Sequence, residues 1–169
     1  MNIILIGFMG SGKTTVAKPL SQLLRFSSIE MDELVCQRTN TANMRELFAK
    51  GGEQLLRATE IEVAKECASE QSAVISTGGG VVLNKIIIDY FKGAGGKIIF
   101  LNPSFEQIAK RLEGDDSRPL FKDLESARKL YDFRLPLYSN YADLIIDIAN
   151  HSPDEIAHMI IEKGGKDGL

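Results

Sequence analysis

The sequence predicts an α/β domain with a central parallel sheet of about five strands. Short runs of β-branched and aliphatic residues recur along the 169-residue chain and alternate with longer amphipathic segments. These runs are apolar on both faces, which is typical of parallel strands covered by helices. The composition, 44% apolar and 25% charged, is that of an ordinary globular chain. We therefore expect a single domain over residues 1–169, which at this length needs no disulfide or structural metal to fold.

The predicted strands and helices follow one another in βαβ order. Four continuous apolar strands are predicted at residues 2–6, 72–76, 97–101 and 144–148, and residues 27–31 form a weaker fifth candidate. Ser104 and Ser152 each begin an S-x-x-E/Q capping box, which predicts that a helix starts at each of them.

Two segments depart from this simple alternation. Residues 33–68 are helical in pattern and form an insert between two strands. Residues 112–123 are polar, contain Gly and Pro, and predict a loop.

The charge pattern excludes several classes of partner. The net charge is only −3, from 20 Lys and Arg against 23 Asp and Glu, and no basic run is present, so we expect no nucleic-acid partner. No stretch approaches the roughly 18 apolar residues of a membrane span, so we expect no membrane partner and a cytoplasmic location. Cys36 and Cys67 belong to no CxxC or Cys/His cluster and are predicted to be reduced core thiols rather than a disulfide or a metal site.

A phosphate-binding loop ends the first predicted strand. Residues 7–14, GFMGSGKT, match G-x-x-x-x-G-K-[ST] between a strand and a helix, and we call them the P-loop. Its backbone N–H groups and the helix N-terminus would hold phosphates, Lys13 would reach the β- and γ-phosphates, and Thr14 would offer a hydroxyl to Mg²⁺. The predicted ATP-binding residues in this region are Gly10, Ser11, Gly12, Lys13, Thr14 and Thr15. The alternative is a glycine-rich turn followed by a chance lysine.

The rest of the chain narrows the class of P-loop protein. A signalling GTPase needs D-x-x-G and N-K-x-D motifs, and the sequence contains neither; its Asn84-Lys85 pair continues without the aspartate. Larger ATP-driven modules need more chain. A small kinase therefore fits best, with the insert supplying an acceptor pocket and residues 112–123 a lid.

Further motifs follow the P-loop in a fixed order. They are Glu30-Met31-Asp32 after the second strand, Gly52 to Glu60 in the insert, Ser76-Thr77-Gly78-Gly79-Gly80 after the third strand, Arg111 and Arg118 around the polar segment, and Arg134-Leu135-Pro136-Leu137-Tyr138 beyond it. With these motifs, the chain resembles the shikimate kinase family over about residues 1–155.

The resemblance implies a fold of the nucleoside-monophosphate-kinase type. The implied reaction transfers the γ-phosphoryl group of ATP to the 3-hydroxyl of shikimate, giving shikimate 3-phosphate and ADP on the route to chorismate and the aromatic amino acids. Its implied cofactor is Mg²⁺, its partners are the small molecules shikimate and ATP, and we expect a monomer.

The resemblance also implies roles for individual residues. Asp32 would bind the shikimate hydroxyls and accept a proton, and Arg57, oriented by Glu60, would clamp the carboxylate together with Arg134. The implied catalytic residues are Asp32, Lys13 and Arg118; Arg111 and Arg118 add to the ATP site; Gly78, Gly79 and Gly80 add to the substrate site; Thr14 and Glu30 form the metal site.

Several of these residues have simpler alternatives. Asp32 could cap a helix starting at Glu33, Arg57 could pair with Glu60 on a solvated helix face, and Glu30 could be a solvated strand-end charge. The chain also departs from the family pattern in three places: Glu30 replaces the first aspartate of D-x-D, Leu56 replaces an aromatic residue, and Asn150-His151-Ser152 replaces a stretch that often holds an arginine. The rival functions are another small-metabolite kinase, of the gluconate or nucleoside-monophosphate type, and a catalytically silent nucleotide-binding module.

Overall fold

A central parallel sheet organises the molecule. The computed structural model describes residues 1–112 and 123–167. Within them, the strands are β1 (Ile3–Ile6), β2 (Ser27–Glu30), β3 (Ala73–Ser76), β4 (Lys97–Asn102) and β5 (Leu144–Asp147). All pairings are parallel, and the order across the sheet is β2-β3-β1-β4-β5. The predicted α/β fold with a five-stranded parallel sheet is confirmed, including the weakly predicted strand β2.

Helices connect the strands and cover the sheet. Within the described residues they are α1 (Lys13–Leu24), α2 (Met31–Thr39), α3 (Met44–Ser69), α4 (Lys85–Gly93), α5 (Phe105–Leu112), α6 (Leu124–Tyr141) and α7 (Pro153–Asp167), with a short 3₁₀ helix at Val81–Leu83. Both predicted capping boxes are present. The Gln107 N–H donates to Ser104 Oγ at 3.3 Å, and the Glu155 N–H donates to Ser152 Oγ at 3.3 Å.

Strand β1 is buried on both faces and divides the core into two clusters. Ile4 and Ile6 pack in the cluster formed with helices α2 to α6, whereas Ile3 and Leu5 pack in the cluster formed with α1 and α7. The side chains alternate because successive residues of a strand point to opposite faces. This three-layer arrangement explains why the strands read as continuous apolar runs.

The helical insert is divided differently from the sequence prediction. Helix α2 begins directly after β2 with Glu30 at its N-cap, so the suggestion that Asp32 caps a helix starting at Glu33 is wrong. Asn40, with a left-handed φ of 53°, ends α2, and α3 bends at Gly52, where φ is 63°. The insert therefore consists of two helices, the second of which is kinked.

The predicted loop at residues 112–123 lies mostly outside the described residues, and Arg118 with it. Its last residue, Asp123, caps α6 by accepting a hydrogen bond from the Ser126 N–H at 2.7 Å. Cys36 and Cys67 are both free thiols; Cys67 is buried in the core as predicted, whereas Cys36 is only partly buried. In the part of the chain that the structure describes, no helix has the length and hydrophobicity needed to cross a membrane.

Candidate active site

Two adjoining cavities open beyond the carboxyl ends of β1, β2 and β3, the edge where parallel α/β sheets bind ligands. The arginine cavity has a volume of about 540 Å³ and includes Arg57 and Arg134 in its wall. The P-loop cavity has a volume of about 480 Å³ and is lined by residues 10–16 among others. Asp32 and Gly79 line both cavities, so they stand at the boundary between them.

The P-loop wraps around the ammonium group of Lys13. Gly12 caps α1 with φ at +83°, a left-handed conformation that glycine adopts without strain. Lys13 is only 8% exposed, and its Nζ donates to the carbonyl of Gly7 at 2.8 Å and to that of Phe8 at 3.1 Å. The loop thus places a cation at the N-terminus of α1, where the helix dipole and free N–H groups also favour an anion.

Every predicted ATP-binding residue in the described part of the chain lines the P-loop cavity. Arg111 reaches this cavity from the last turn of α5, and its Nη1 donates to the Gly10 carbonyl at 3.0 Å. The cavity is also lined by His151, which precedes α7, and by Pro153 and Ile156 in the first turn of α7. The Asn150-His151-Ser152 stretch, which replaces a stretch that often holds an arginine in the family, therefore lies beside this cavity.

Thr14 and Glu30 form a polar pair at the wall of the P-loop cavity. Thr14 Oγ1 donates to Glu30 Oε2 at 3.0 Å, and Ser76, the neighbour of Glu30 in the sheet, also bonds to the carboxylate. Burial raises the pKa of Glu30, and these two hydroxyl contacts oppose the rise. Glu30 is therefore a bonded carboxylate rather than a solvated strand-end charge.

The polar groups beside the P-loop suit Mg²⁺, although the described residues contain no cluster of three or more His, Cys, Asp and Glu side chains. Mg²⁺ beside a nucleotide keeps several waters and takes few protein oxygens. One hydroxyl and one carboxylate, from Thr14 and Glu30, fit that requirement. The extra methylene of glutamate still lets the carboxylate reach Thr14.

Arg57 projects from α3 into the arginine cavity between two carboxylates. Its Nη1 donates to Glu60 Oε2 at 2.6 Å, and its Nη2 donates to Glu53 Oε1 at 3.0 Å. Glu60 is only 2% exposed, so this ion pair does not lie on a solvated helix face and that alternative is wrong. Burial raises the pKa of Glu60, and the Arg57 guanidinium opposes the rise. Glu60 is thus placed to hold Arg57 in one orientation.

Arg134 enters the same cavity from α6 and is only 2% exposed. Its Nη1 donates to the Gly79 carbonyl at 3.3 Å, and the guanidinium carbon lies 5.9 Å from the ring centre of Phe8. Its Nε is buried and has no hydrogen-bond partner. Burial lowers the pKa of Arg134 because it disfavours the charged form. A buried cation with an unused donor favours an anionic ligand.

Asp32 brings a carboxylate to the boundary of the two cavities. Its Oδ1 is buried and has no hydrogen-bond partner. A Cβ at Gly78 would lie 2.7 Å from Glu60 Oε1 and 2.9 Å from Asp32 Oδ1, so only glycine leaves room for both carboxylates. The unpaired oxygen favours a ligand that brings a hydroxyl donor.

The other two glycines of the motif fit closely against the rest of the site. A Cβ at Gly80 would lie 2.3 Å from both terminal nitrogens of Arg57. A Cβ at Gly79 would lie 3.1 Å from the Met9 backbone nitrogen, so the tightest contact of Gly79 is with the P-loop backbone. The glycine run therefore links the P-loop to the arginine cavity.

An apolar wall completes the arginine cavity, and most of it was not predicted from the sequence. Met9, Met44, Phe48 and Leu56 line the cavity together with the polar residues. Met44 and Phe48 belong to the first two turns of α3, before the kink at Gly52. The available signal was their apolar i, i+4 spacing. Tyr138, which hydrogen-bonds the Gly79 carbonyl, was likewise not among the predicted site residues.

The fold and the two cavities define a class of protein. A P-loop with a hydroxyl–carboxylate pair at its wall, next to a cavity that presents two arginines and an unpaired carboxylate, defines a P-loop kinase for a small hydroxylated anion. Residues 9–164 match the family model for shikimate kinase. The chain belongs to the shikimate kinase family, and is therefore an ATP-dependent kinase that phosphorylates a hydroxyl group of shikimate.

Individual relatives resemble the chain over nearly its whole length. A shikimate kinase from Lactococcus lactis subsp. cremoris is 39% identical over 167 residues, which cover 96% of this chain and 98% of the relative. One from Thermodesulfovibrio yellowstonii is 37% identical over 165 residues, covering 96% and 94%.

Solved structures agree with these sequence relatives. A shikimate kinase from Acinetobacter baumannii, solved in complex with shikimate, superposes with a TM-score of 0.93 at 29% identity, covering 99% of this chain and 94% of that one. The enzyme from Aquifex aeolicus superposes with a TM-score of 0.87 at 33% identity, covering 100% and 99%. The predicted family and the predicted nucleoside-monophosphate-kinase type of fold are confirmed.

Proposed function

We propose that the two cavities together transfer the γ-phosphoryl group of ATP to the 3-hydroxyl of shikimate. The P-loop cavity would hold ATP, and the arginine cavity would hold shikimate. The observation that supports this assignment is the unpaired Asp32 Oδ1, which lies at the boundary of the cavities near two arginines. The products are shikimate 3-phosphate and ADP.

We propose that Arg57 and Arg134 bind the shikimate carboxylate. Both guanidinium groups line one cavity, and the planar guanidinium matches a carboxylate with paired N–H donors. Glu60 and Glu53 balance Arg57 within the protein, whereas Arg134 contacts a carbonyl and an aromatic ring. A bound carboxylate would therefore give Arg134 a direct ion-pair partner, whereas Glu53 and Glu60 act on it only through space.

Asp32 is the proposed base. The unpaired Asp32 oxygen would accept a hydrogen bond from the 3-hydroxyl of shikimate. It would then take the proton of that hydroxyl as the shikimate oxygen attacks the γ-phosphorus. The position at the cavity boundary is essential, because the base must lie within hydrogen-bond reach of the acceptor hydroxyl while that hydroxyl faces the γ-phosphate. Gly78 preserves the space that this carboxylate needs.

The P-loop residues position the phosphates and neutralise their charge. Lys13 would exchange its contacts with loop carbonyls for contacts with the β- and γ-phosphates, and Arg111 would add a second cation from α5. Thr14 and Glu30 would hold Mg²⁺, which when bound neutralises charge on the phosphate oxygens. Phosphoryl transfer depends mainly on such positioning and charge stabilisation.

A coupled assay of ADP release tests the proposal, with shikimate, quinate, gluconate and nucleoside monophosphates offered side by side. We expect shikimate to stimulate release far more than the other acceptors. In Asp32→Asn, kcat should fall by about 10²-fold or more, because the amide keeps the shape but cannot accept a proton. Preference for gluconate or a nucleotide would favour the rival kinase classes, and unaltered turnover in Asp32→Asn would remove Asp32 from its role.

We further propose that the enzyme is a cytoplasmic monomer of one domain, with residues 33–68 as its substrate-binding insert. The proposal is supported by the modest net charge and by the placement of both cavities within one chain. Light scattering after gel filtration should give a mass near 18.6 kDa. A mass of twice that value would contradict the monomer.

A further inference from the structure

Tyr138 lies next to the proposed carboxylate-binding arginine but has no part in the mechanism above. It follows Arg134 by one turn on α6, and its side chain is fully buried. Its hydroxyl donates to the Gly79 carbonyl, the same oxygen that accepts from Arg134 Nη1 at 3.3 Å. One carbonyl thus receives two donors from α6.

The Gly79 carbonyl belongs to a backbone that has little freedom to move. A Cβ at Gly79 would lie only 3.1 Å from the Met9 nitrogen, so this residue is packed against the P-loop backbone. The ring of Tyr138 is held as well, because it stacks on Phe100 of β4 with ring centres 5.0 Å apart. The phenol and its acceptor are both fixed by the sheet edge, whereas the guanidinium ends a flexible side chain.

Burial keeps the phenol uncharged. It raises the pKa of Tyr138, so the hydroxyl remains a neutral donor throughout the working range of pH. Burial also lowers the pKa of Arg134. The phenol therefore occupies part of the Gly79 carbonyl without placing a second charge beside the guanidinium.

We propose that Tyr138 is a positioning residue that sets the rotation of the Arg134 guanidinium toward the carboxylate of the acceptor. This inference rests on the proposed role of Arg134. Paired N–H donors bind a carboxylate well only when the guanidinium plane has the correct orientation. Without the phenol, the Gly79 carbonyl and the guanidinium are free to bond to each other alone, and the guanidinium turns away from the acceptor.

Tyr138→Phe tests this role while keeping the ring and its stacking on Phe100. We expect KM for shikimate to rise about three- to tenfold, the effect of roughly one hydrogen bond, with kcat and KM for ATP within about twofold. The preference for shikimate over its methyl ester, which lacks the carboxylate charge, should fall by a similar factor. A general loss of structure would not change that preference selectively.

Tyr131→Phe is the matched control. Tyr131 is another buried tyrosine of α6, and its hydroxyl donates to the Pro103 carbonyl at 3.0 Å, away from Gly79. It loses the same kind of bond, so it should lower the thermal midpoint without changing the preference for shikimate over the ester. Equal changes of KM in both variants would overturn the proposal for Tyr138.

A substitution of Arg134 separates this inference from the proposed function on which it rests. The neutral variant Arg134→Gln is used for this, because lysine would keep the positive charge. If Arg134→Gln keeps the full wild-type preference for shikimate over the ester, the proposed role of Arg134 is wrong. If Arg134→Gln lowers that preference and Tyr138→Phe keeps it, only the role of Tyr138 is wrong. Adding Tyr138→Phe to Arg134→Gln should raise KM no further, and an additional rise of the same size would show that Tyr138 acts independently of Arg134.

Discussion

At the scale of single residues, the acceptor end of the site depends on carboxylates that are buried to different extents. Glu60 and Glu53 both bond to Arg57, but Glu60 is 2% exposed and the Glu53 side chain is 49% exposed. Solvent screens an exposed ion pair, whereas a buried pair is screened little and fixes geometry. The orientation of Arg57 should therefore depend on Glu60 far more than on Glu53.

Glu60→Gln should raise KM for shikimate about tenfold, which corresponds to about 1.4 kcal/mol. The amide still accepts one hydrogen bond from Arg57 but no longer supplies the opposite charge. Glu53→Gln is the control and should change KM by less than about twofold. Steady-state kinetics at saturating ATP measures both values, and equal effects from the two variants would contradict the special role of Glu60.

Glu30 gives a prediction about metal dependence. Glu30→Ala should raise the Mg²⁺ concentration for half-maximal activity and leave shikimate binding without nucleotide nearly unchanged, because the carboxylate bonds Thr14 in the P-loop cavity. Glu30→Asp should be close to neutral. A Mg²⁺ titration of Glu30→Ala that overlays the wild-type curve would remove Glu30 from the metal site.

The pH dependence of this metal requirement has a definite sign. Because burial raises the pKa of Glu30 above 4.5, the carboxylate takes up its proton at a higher pH than an ordinary glutamate. Protonation removes the negative charge with which Glu30 would hold Mg²⁺. The Mg²⁺ requirement of the wild type should therefore increase as the pH falls toward that raised pKa, and Glu30→Gln should lack this increase.

At the scale of helices and strands, the sequence predicted features that depend on neighbours along the chain. The capping boxes at Ser104 and Ser152 were predictable because each is formed by residues three apart. The end of α2 at Asn40 and the kink of α3 at Gly52 were not predictable, because the residue pattern on either side of both positions is helical. The way in which the insert folds over the arginine cavity depends on the packing of α3 against α2 and α4, which joins segments distant along the chain.

Ser152→Ala should lower the free energy of unfolding by about 1 kcal/mol, the usual effect of losing an N-cap. The serine accepts from the Glu155 N–H at the start of α7, and its own N–H donates to Glu155 Oε2 at 2.7 Å. Ser139→Ala is the control: that exposed serine donates to the Leu135 carbonyl of its own helix, and its loss should change stability little. Urea denaturation of both variants makes the comparison, and equal midpoints would contradict the capping role.

At the scale of the whole molecule, the order β2-β3-β1-β4-β5 brings distant segments to one sheet edge. The resemblance indicated which residues form the site, but their convergence depends on long-range contacts such as that between Arg134 and Gly79, 55 residues apart. The burial of Glu60 and the contact of Tyr138 with Gly79 have the same origin, so residue pattern alone did not predict them. The result is two cavities that share Asp32 and Gly79 but have separate cationic groups.

That separation predicts that each ligand stabilises the fold through its own set of residues. A ligand at 100 times its Kd stabilises the folded state by about 2.7 kcal/mol, so shikimate and MgADP should each raise the thermal midpoint. Arg57 lines only the arginine cavity and Lys13 only the P-loop cavity. Arg57→Ala should therefore lose the shift caused by shikimate and keep the shift caused by MgADP, and Lys13→Met should do the reverse.

Differential scanning fluorimetry with each ligand alone makes the measurement, with gluconate as the control for a hydroxylated acid of the wrong shape. If either substitution abolished both shifts, the cavities would not be separate binding sites.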